Sequence, residues 1–395
     1  VSTSDSTPGT EQELRVGIVG CGGIARSHGR AYAGNPRARI VAAHDVDPAA
    51  TKKFAEEFDT AAADSLADLA AHGVQLASVC TPPGSHTATT VALLELGISV
   101  LLEKPPAVTL AELDVIAEAE AASTGSVYVV FQHRHGSGAK RAHRLLAEGA
   151  LGAPQIAVCE TLWYRPESYF DPAWRGNWAG EGGGPTLGHA IHQIDLMLHL
   201  LGNWSTVDAK ASRIARPVEF EDVATASVAL ESGAVASVVT SLLSPREVSR
   251  IRVDTTGGTL EVNHLYGYSD ADWSWFPLPD AGTLAANGVD PGTARGDSTA
   301  AGTGLDVWQA SAGTDLPSNH AAQIDELVDD LLAGRRHATT LTSTRPTMEF
   351  VTGLYASALE GTTIARGDLT PDSAFYCRLD GGHPADRVSA RFTLS

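Results

Sequence analysis

Gly20-Cys21-Gly22-Gly23-Ile24-Ala25 is a G-x-G-x-x-A run, the spacing at which a chain folds its backbone around a pyrophosphate. Gly20 permits a tight turn, Gly22 lets the anion approach the main chain, and Ala25 allows a helix to pack closely on the preceding strand. Gly23 and Ile24 then open that helix, whose free N–H groups and positive dipole end suit a phosphate. Asp45 lies about 20 residues past Ala25, where a carboxylate accepts hydrogen bonds from the adenosine ribose. The same charge repels a 2′-phosphate, and Val46 and Asp47 offer no cation to receive one, so the expected cofactor is NAD rather than NADP.

A second group of residues carries a different chemistry. Trp163, Tyr164, Arg165, Tyr169, Trp174, Arg175 and Trp178 form a dense run of aromatics and arginines. Aromatic faces cover the C–H surfaces of a sugar ring, and arginines bind hydroxyls or an acidic group. The run reads as a carbohydrate pocket, with Arg165, Trp174 and Arg175 as substrate contacts. Interdomain packing is the competing use for any one aromatic. Cations gathered here, in a chain of net charge -19, also point toward a substrate carrying carboxylate, sulfonate or phosphate.

These residues need elements to hold them. LRVGIVG is a short apolar strand ending at the glycine run, and a helix is expected over 24–33. ARIVAAHD is a second strand ending at Asp45, and Pro48 opens a helix through Phe58. The alternation continues with LASVC, a helix over 86–96, SVLLEKP, a helix over 110–121, and VYVVFQ. Strands separated by helices of roughly ten residues imply parallel pairing with right-handed crossovers. Past Phe131 a helix over 139–148 is followed by QIAVCETLW, TVDAKASRI, DVATASVAL, AVASVVTSLL, EVSRIRVDTT and TLEVNH, which read as a largely antiparallel sheet. Residues 267–315 show no period and read as a long loop. Helices are expected over His320–Leu332 and over 346–359, and the last 25 residues carry no pattern. The expected fold class is an α/β Rossmann domain at 14–132 and an α+β domain with a large open sheet at 133–395. Residues 1–13 are expected to be a disordered tail.

Bulk properties narrow the function further. The 395 residues exceed one ordinary core, and 43% hydrophobic with 19% charged residues fits globular packing. An excess of acid, 47 Asp+Glu against 28 Lys+Arg, argues against nucleic acid as a partner. No apolar run approaches the roughly 20 residues that span a bilayer, and the N-terminus lacks a secretion pattern. Cys21, Cys80, Cys159 and Cys377 are widely spaced, which suggests neither disulfides nor a zinc site. A cytoplasmic protein without membrane contact is expected.

Three further segments resemble the Gfo/Idh/MocA oxidoreductase family. Thr81-Pro82-Pro83 with His86 is similar to its T-P-x-x-x-H turn, Glu103-Lys104-Pro105 to its E-K-P signature, and residues 174–195 to its G-G-G … H-x-I-D region. The likeness runs from Val16 to about Asp195, with a weaker trace over 354–361. It implies cofactor contacts from Thr81, Pro82, His86, Glu103 and Lys104, with Lys104 reaching the nicotinamide ring and the reacting hydroxyl. A cation there stabilises the alkoxide that forms as hydride leaves. His192 matches the family's acid/base histidine, and an unperturbed imidazole titrates near working pH.

The family pattern carries Asp four residues before that histidine, and this chain has Gly188, with His189 next to it. Either His189 takes part of the role, or Lys104 and His192 suffice, or the chemistry is not simple alcohol oxidation. His189, His192 and Asp195 are three apart on one helix face, but packing and capping are the preferred uses of Asp195 and His199, and no metal is expected. His133, Arg134 and His135 follow the last Rossmann strand, where Arg134 contacts substrate or bridges the hinge.

Two enzymatic readings result. The first is an NAD-dependent dehydrogenase or ketoreductase acting on a sugar, sugar derivative or cyclitol. The second is a redox-neutral glycosidase in which transient oxidation acidifies the neighbouring carbon, the aglycone is eliminated, and the oxidation is reversed after water adds. A non-enzymatic NAD sensor is a third, for which the charged residues would be superfluous. The open sheet offers a face that relatives use for pairing, so a homodimer or homotetramer is expected.

Overall fold

A computed structural model describes residues 13–278 and 305–393. The expected tail, apart from residue 13, and the middle of the 267–315 stretch lie outside these residues.

The first sheet contains β1 (Leu14–Val19), β2 (Ala38–His44), β3 (Ala61–Ala62), β4 (Leu76–Val79), β5 (Ser99–Leu102) and β6 (Val127–Val129). All its pairings are parallel, in the order β3-β2-β1-β4-β5-β6. The strands read as continuous apolar runs because helices cover both faces of the sheet, and every residue of β4 is buried. Strand β1 pairs with β2 on one side and β4 on the other, so the chain reverses direction across the sheet there. A crevice opens at such a point beyond the strands' carboxyl ends. The glycine run, Asp45, Thr81 and Glu103-Lys104 follow β1, β2, β4 and β5 respectively, and all reach that crevice.

The second sheet holds β7 (Pro154–Tyr164), β8 (Trp204–Ser212), β9 (Val223–Leu230), β10 (Val235–Ser241), β11 (Leu243–Thr255), β12 (Gly258–His264), β13 (Trp273–Pro277) and β14 (Ile364–Ala365). Its order is β13-β12-β11-β7-β10-β9-β8-β14, antiparallel except for β7 against β10. Alternation sets its two faces: Ala224, Ala226, Val228 and Leu230 of β9 are buried with the helix Leu341–Glu360, whereas Ile156 and Val235 remain about half exposed on the other face.

Several elements differ from expectation. The helix predicted to start at Pro346 begins at Leu341, because the Thr340 side chain accepts from Ser343 N–H and caps it earlier. Part of the expected loop over 267–315 is β13, which pairs with β12 and buries Trp273 and Trp275. The C-terminal 25 residues include the helices Ala374–Cys377 and Ala385–Phe392. The helix His320–Leu332 turns back onto the first sheet's layer, where Ile324, Leu327 and Val328 join a core with Tyr32 and Leu76.

Candidate active site

Gly20 adopts φ +84°, and a Cβ there would sit 2.8 Å from the main chain at Cys80 and Thr81. Only glycine fits that turn. Beside Gly22 and Gly23, by contrast, a Cβ would meet nothing within 4 Å. The helix Gly23–Gly34 starts on Gly22 without a side-chain cap, leaving its first N–H groups free, and it buries Ala25 while Ile24 is partly covered. Asp45 lies against this loop, Oδ2 accepting from Cys21 N–H at 2.7 Å and Oδ1 from Asp47 N–H at 2.9 Å. Thr81 Oγ1 is buried with no partner among the described residues. An open glycine cradle, an uncapped helix start and an orphaned hydroxyl fit a dinucleotide.

His86 is buried and braces two loops: Nδ1 lies 2.8 Å from the Pro105 carbonyl and Nε2 2.8 Å from that of Thr81. Its ring therefore shapes the loops beside Pro82 and Pro105 instead of presenting a free nitrogen to the crevice.

Lys104 leaves the end of β5 and donates from Nζ to the Gly188 carbonyl at 2.9 Å. Burial lowers its pKa from the ordinary lysine value, with Glu103 opposing and Arg175 adding to the shift. Glu103 is buried, and its Oε1 accepts from His28 Nε2 at 2.9 Å and His320 Nε2 at 3.1 Å, while Oε2 accepts from Lys104 N–H. Burial acts against its ionisation, but the two imidazole donors hold its carboxyl well below the usual range. Sequence reasoning missed both histidines. His28 shares the buried helix face of Ala25 and Tyr32, which is a readable signal; His320 comes from 217 residues away and gives none.

His192 is 2% exposed, and neither ring nitrogen has a partner among the described residues. Burial, then Lys104 and His133, hold its pKa well below the usual histidine value. His189 is held down likewise by burial, Lys104, Arg165 and Arg175, and its Nε2 faces Tyr169 Oη at 3.3 Å. Both rings are therefore neutral at pH 7. The His133 ring lies 5.1 Å from that of His192, and Tyr266 sits 5.7 Å from each. Tyr266, held by Gln132 Nε2 at 2.7 Å, is another site residue missed from sequence.

The aromatic run separates into two groups. The Trp163 ring meets His189 at 5.3 Å, and the Arg175 guanidinium stacks 3.9 Å over Tyr169 and 4.2 Å over Trp174. Arg165 lies 4.8 Å over Trp163 and pairs with Glu247, while Arg175 pairs with Glu181. Trp178 instead packs on Phe220 and Tyr355. Arg134 is not brought to the pocket: it is 8% exposed and donates to both Asp195 oxygens, at 2.7 and 2.5 Å, in a hinge ion pair. Thr347 also donates to Asp195, so that carboxylate is fully engaged.

A further acid lies against Gly184, where a Cβ would collide with its carboxyl group. Glu221 is fully buried, accepts from Tyr355 Oη at 2.9 Å and from Thr186 N–H at 3.1 Å, and burial raises its pKa to about 7.

Residues 14–131 match a family model described as an oxidoreductase family with an NAD-binding Rossmann fold, and residues 139–261 match the GFO/IDH/MocA C-terminal domain. A putative UDP-kanosamine synthase oxidoreductase subunit of Amycolatopsis mediterranei is 31% identical over 58% of this chain and 69% of its own length. D-glucoside 3-dehydrogenase of Escherichia coli is 27% identical over 65% and 80%. Among solved structures, the WlbA dehydrogenase of Chromobacterium violaceum, in complex with NADH and UDP-GlcNAcA, superposes with a TM-score of 0.75 at 25% identity, over 90% of this chain and 96% of that one.

Proposed function

Because the chain belongs to the Gfo/Idh/MocA family of NAD-binding oxidoreductases, we propose that it oxidises a ring hydroxyl of a sugar, sugar derivative or cyclitol, or reduces the matching ketone. Bound NAD supplies a hydride acceptor, and its pyrophosphate and ribose would be held by the 20–25 turn and Asp45. The observation that carries the reading is Lys104, which leaves the carboxyl end of β5 on the same edge of the parallel sheet as the open glycine turn after β1 and is tied through Nζ to the Gly188 carbonyl next to His189.

Lys104 donates a hydrogen bond to the reacting oxygen and stabilises negative charge there. His192, neutral and with an unpartnered nitrogen, accepts the hydroxyl proton during oxidation and returns it during reduction. His189, oriented by Tyr169 and Trp163, contacts a neighbouring hydroxyl. Trp163, Tyr169 and Trp174 line the ring, and Arg165 and Arg175, each paired with a glutamate, offer their remaining guanidinium N–H groups at one end. Those donors, with the UDP-GlcNAcA held by the structural relative, favour sugars bearing carboxylate or phosphate.

The test is a panel of neutral sugars, uronates, nucleotide sugars, cyclitols and aryl glycosides with NAD. Net NADH from an anionic sugar is the expected result. Lys104→Ala should cost about 10²–10⁴-fold in kcat, the usual range for one acid–base or electrostatic group. Full turnover in that variant overturns the reading. Aglycone release without NADH accumulation replaces it with the redox-neutral route.

A further inference from the structure

Glu103 joins three remote parts of the fold next to Lys104. The first helix brings His28, whose Nδ1 faces Ser78 Oγ of β4 at 3.1 Å, and Tyr32 Oη lies 2.8 Å from that same hydroxyl. A consistent proton order follows: Tyr32 donates to Ser78, Ser78 to His28 Nδ1, and His28 Nε2–H to Glu103 Oε1. The second arm is His320, the first residue of a helix capped by Asn319, whose Nε2 reaches the same oxygen. The two rings lie 5.2 Å apart, tilted by 55°. With both imidazoles on Oε1, Oε2 is left to the Lys104 amide. The carboxylate plane is thereby fixed from two sides, and with it the main chain from which the lysine side chain departs.

We propose that His28 and His320 are positioning residues that hold Lys104 in its half-buried place through Glu103. The proposal rests on the role given to Lys104 above. Burial is the first cause of that lysine's lowered pKa, so a loosened Glu103 should let the ammonium move toward water and titrate higher. The same three side chains could instead be ligands of a transition metal, since their donor atoms lie within 4.8 Å of one another. Hydrogen bonds on a single shared oxygen favour the positioning role, and the experiment separates the two.

His320→Phe keeps an aromatic ring and removes the donor; His320→Gln restores a donor. The chain has five lysines, Lys52, Lys53, Lys104, Lys140 and Lys210, so reductive ¹³C-methylation of the NAD-bound protein gives a readable NMR titration of Lys104. His320→Phe should move that titration to higher pH and lower kcat about tenfold with KM changed less than about twofold, the pattern of a misplaced group. His320→Gln should recover both. A Lys104 titration unmoved in His320→Phe, with only Tm lowered, overturns the proposal. So does calorimetric Zn²⁺ binding that His320→Phe abolishes. An active Lys104→Ala enzyme sinks the function assigned to the lysine, whereas an inactive one beside an unmoved titration sinks the positioning role alone.

Discussion

Lys104 Nζ meets the carbonyl oxygen of Gly188 at 2.9 Å, a main-chain partner from the residue that stands at the aspartate position of the family pattern. A main-chain carbonyl orients an ammonium without carrying charge and cannot take a proton. Burial lowers the lysine's pKa and this neutral partner adds no charge to offset it, so in the proposed reaction proton transfer falls to the neutral histidines.

Gly188→Asp should fold normally, because a Cβ there meets nothing within 4 Å. The new carboxylate beside Lys104 should raise the lysine's pKa and move the alkaline limb of the kcat/KM profile upward. An alkaline limb that stays in place removes Lys104 from that profile.

Gly20 and Gly22 should separate folding from binding. Gly20→Ala forces a left-handed φ on alanine against the Cys80 and Thr81 main chain and should destabilise by about 1–3 kcal/mol. Gly22→Val fills only open space, so Tm should hold while NAD affinity drops by at least about tenfold. Thermal melts with and without NAD, alongside calorimetry, check both.

Asp45→Ala should weaken NAD about tenfold, the order expected for lost hydrogen bonds to a charged group, and narrow the preference over NADP. Unmodified protein binding the two dinucleotides equally would contradict the ribose role.

Glu221 gives a signed pH effect. Its folded pKa of about 7 lies above the ordinary 4.5, so the folded state holds a proton that the unfolded chain has lost between those values. Its contribution is complete below about pH 4.5 and vanishes as pH rises through about 7, an amount of about 3 kcal/mol. Tm of the unmodified protein should fall more between pH 5 and pH 8 than that of Glu221→Gln. Parallel curves for the two proteins refute this.

Asp195→Ala strands the Arg134 guanidinium in the hinge, which should cost about 3–5 kcal/mol. Burial raises the Asp195 pKa while Arg134 opposes it, so the pair is poised for structure, not proton transfer. NAD affinity of the folded fraction should stay within about twofold.

Five of the six strands of the parallel sheet are legible in the sequence as local apolar runs, and Pro48–Phe58 and His320–Leu332 agree residue for residue with expectation, whereas the two-residue edge strand Ala61–Ala62 and the short helix Leu66–Ala71 after it are too brief to show a pattern. The nucleotide turn is legible for the same reason, since its residues are contiguous. Strand β13 is not, because it is an edge strand among Gly, Asp and Ser whose stability comes from pairing with β12. Arg134 looks like a substrate contact until its distant carboxylate is seen. Glu221 gives no signal in the chain, being marked only by its burial against Gly184 and by Tyr355 from the helix Leu341–Glu360.

The return of His320–Leu332 to the first sheet's layer has a practical meaning for dissecting the molecule. A fragment ending near residue 132 would bare Tyr32 and Leu76 where Ile324, Leu327 and Val328 belong, and would lack the His320 donor to Glu103. A recombinant nucleotide half would therefore need residues 320–332 joined to residues 14–132 to keep that core covered.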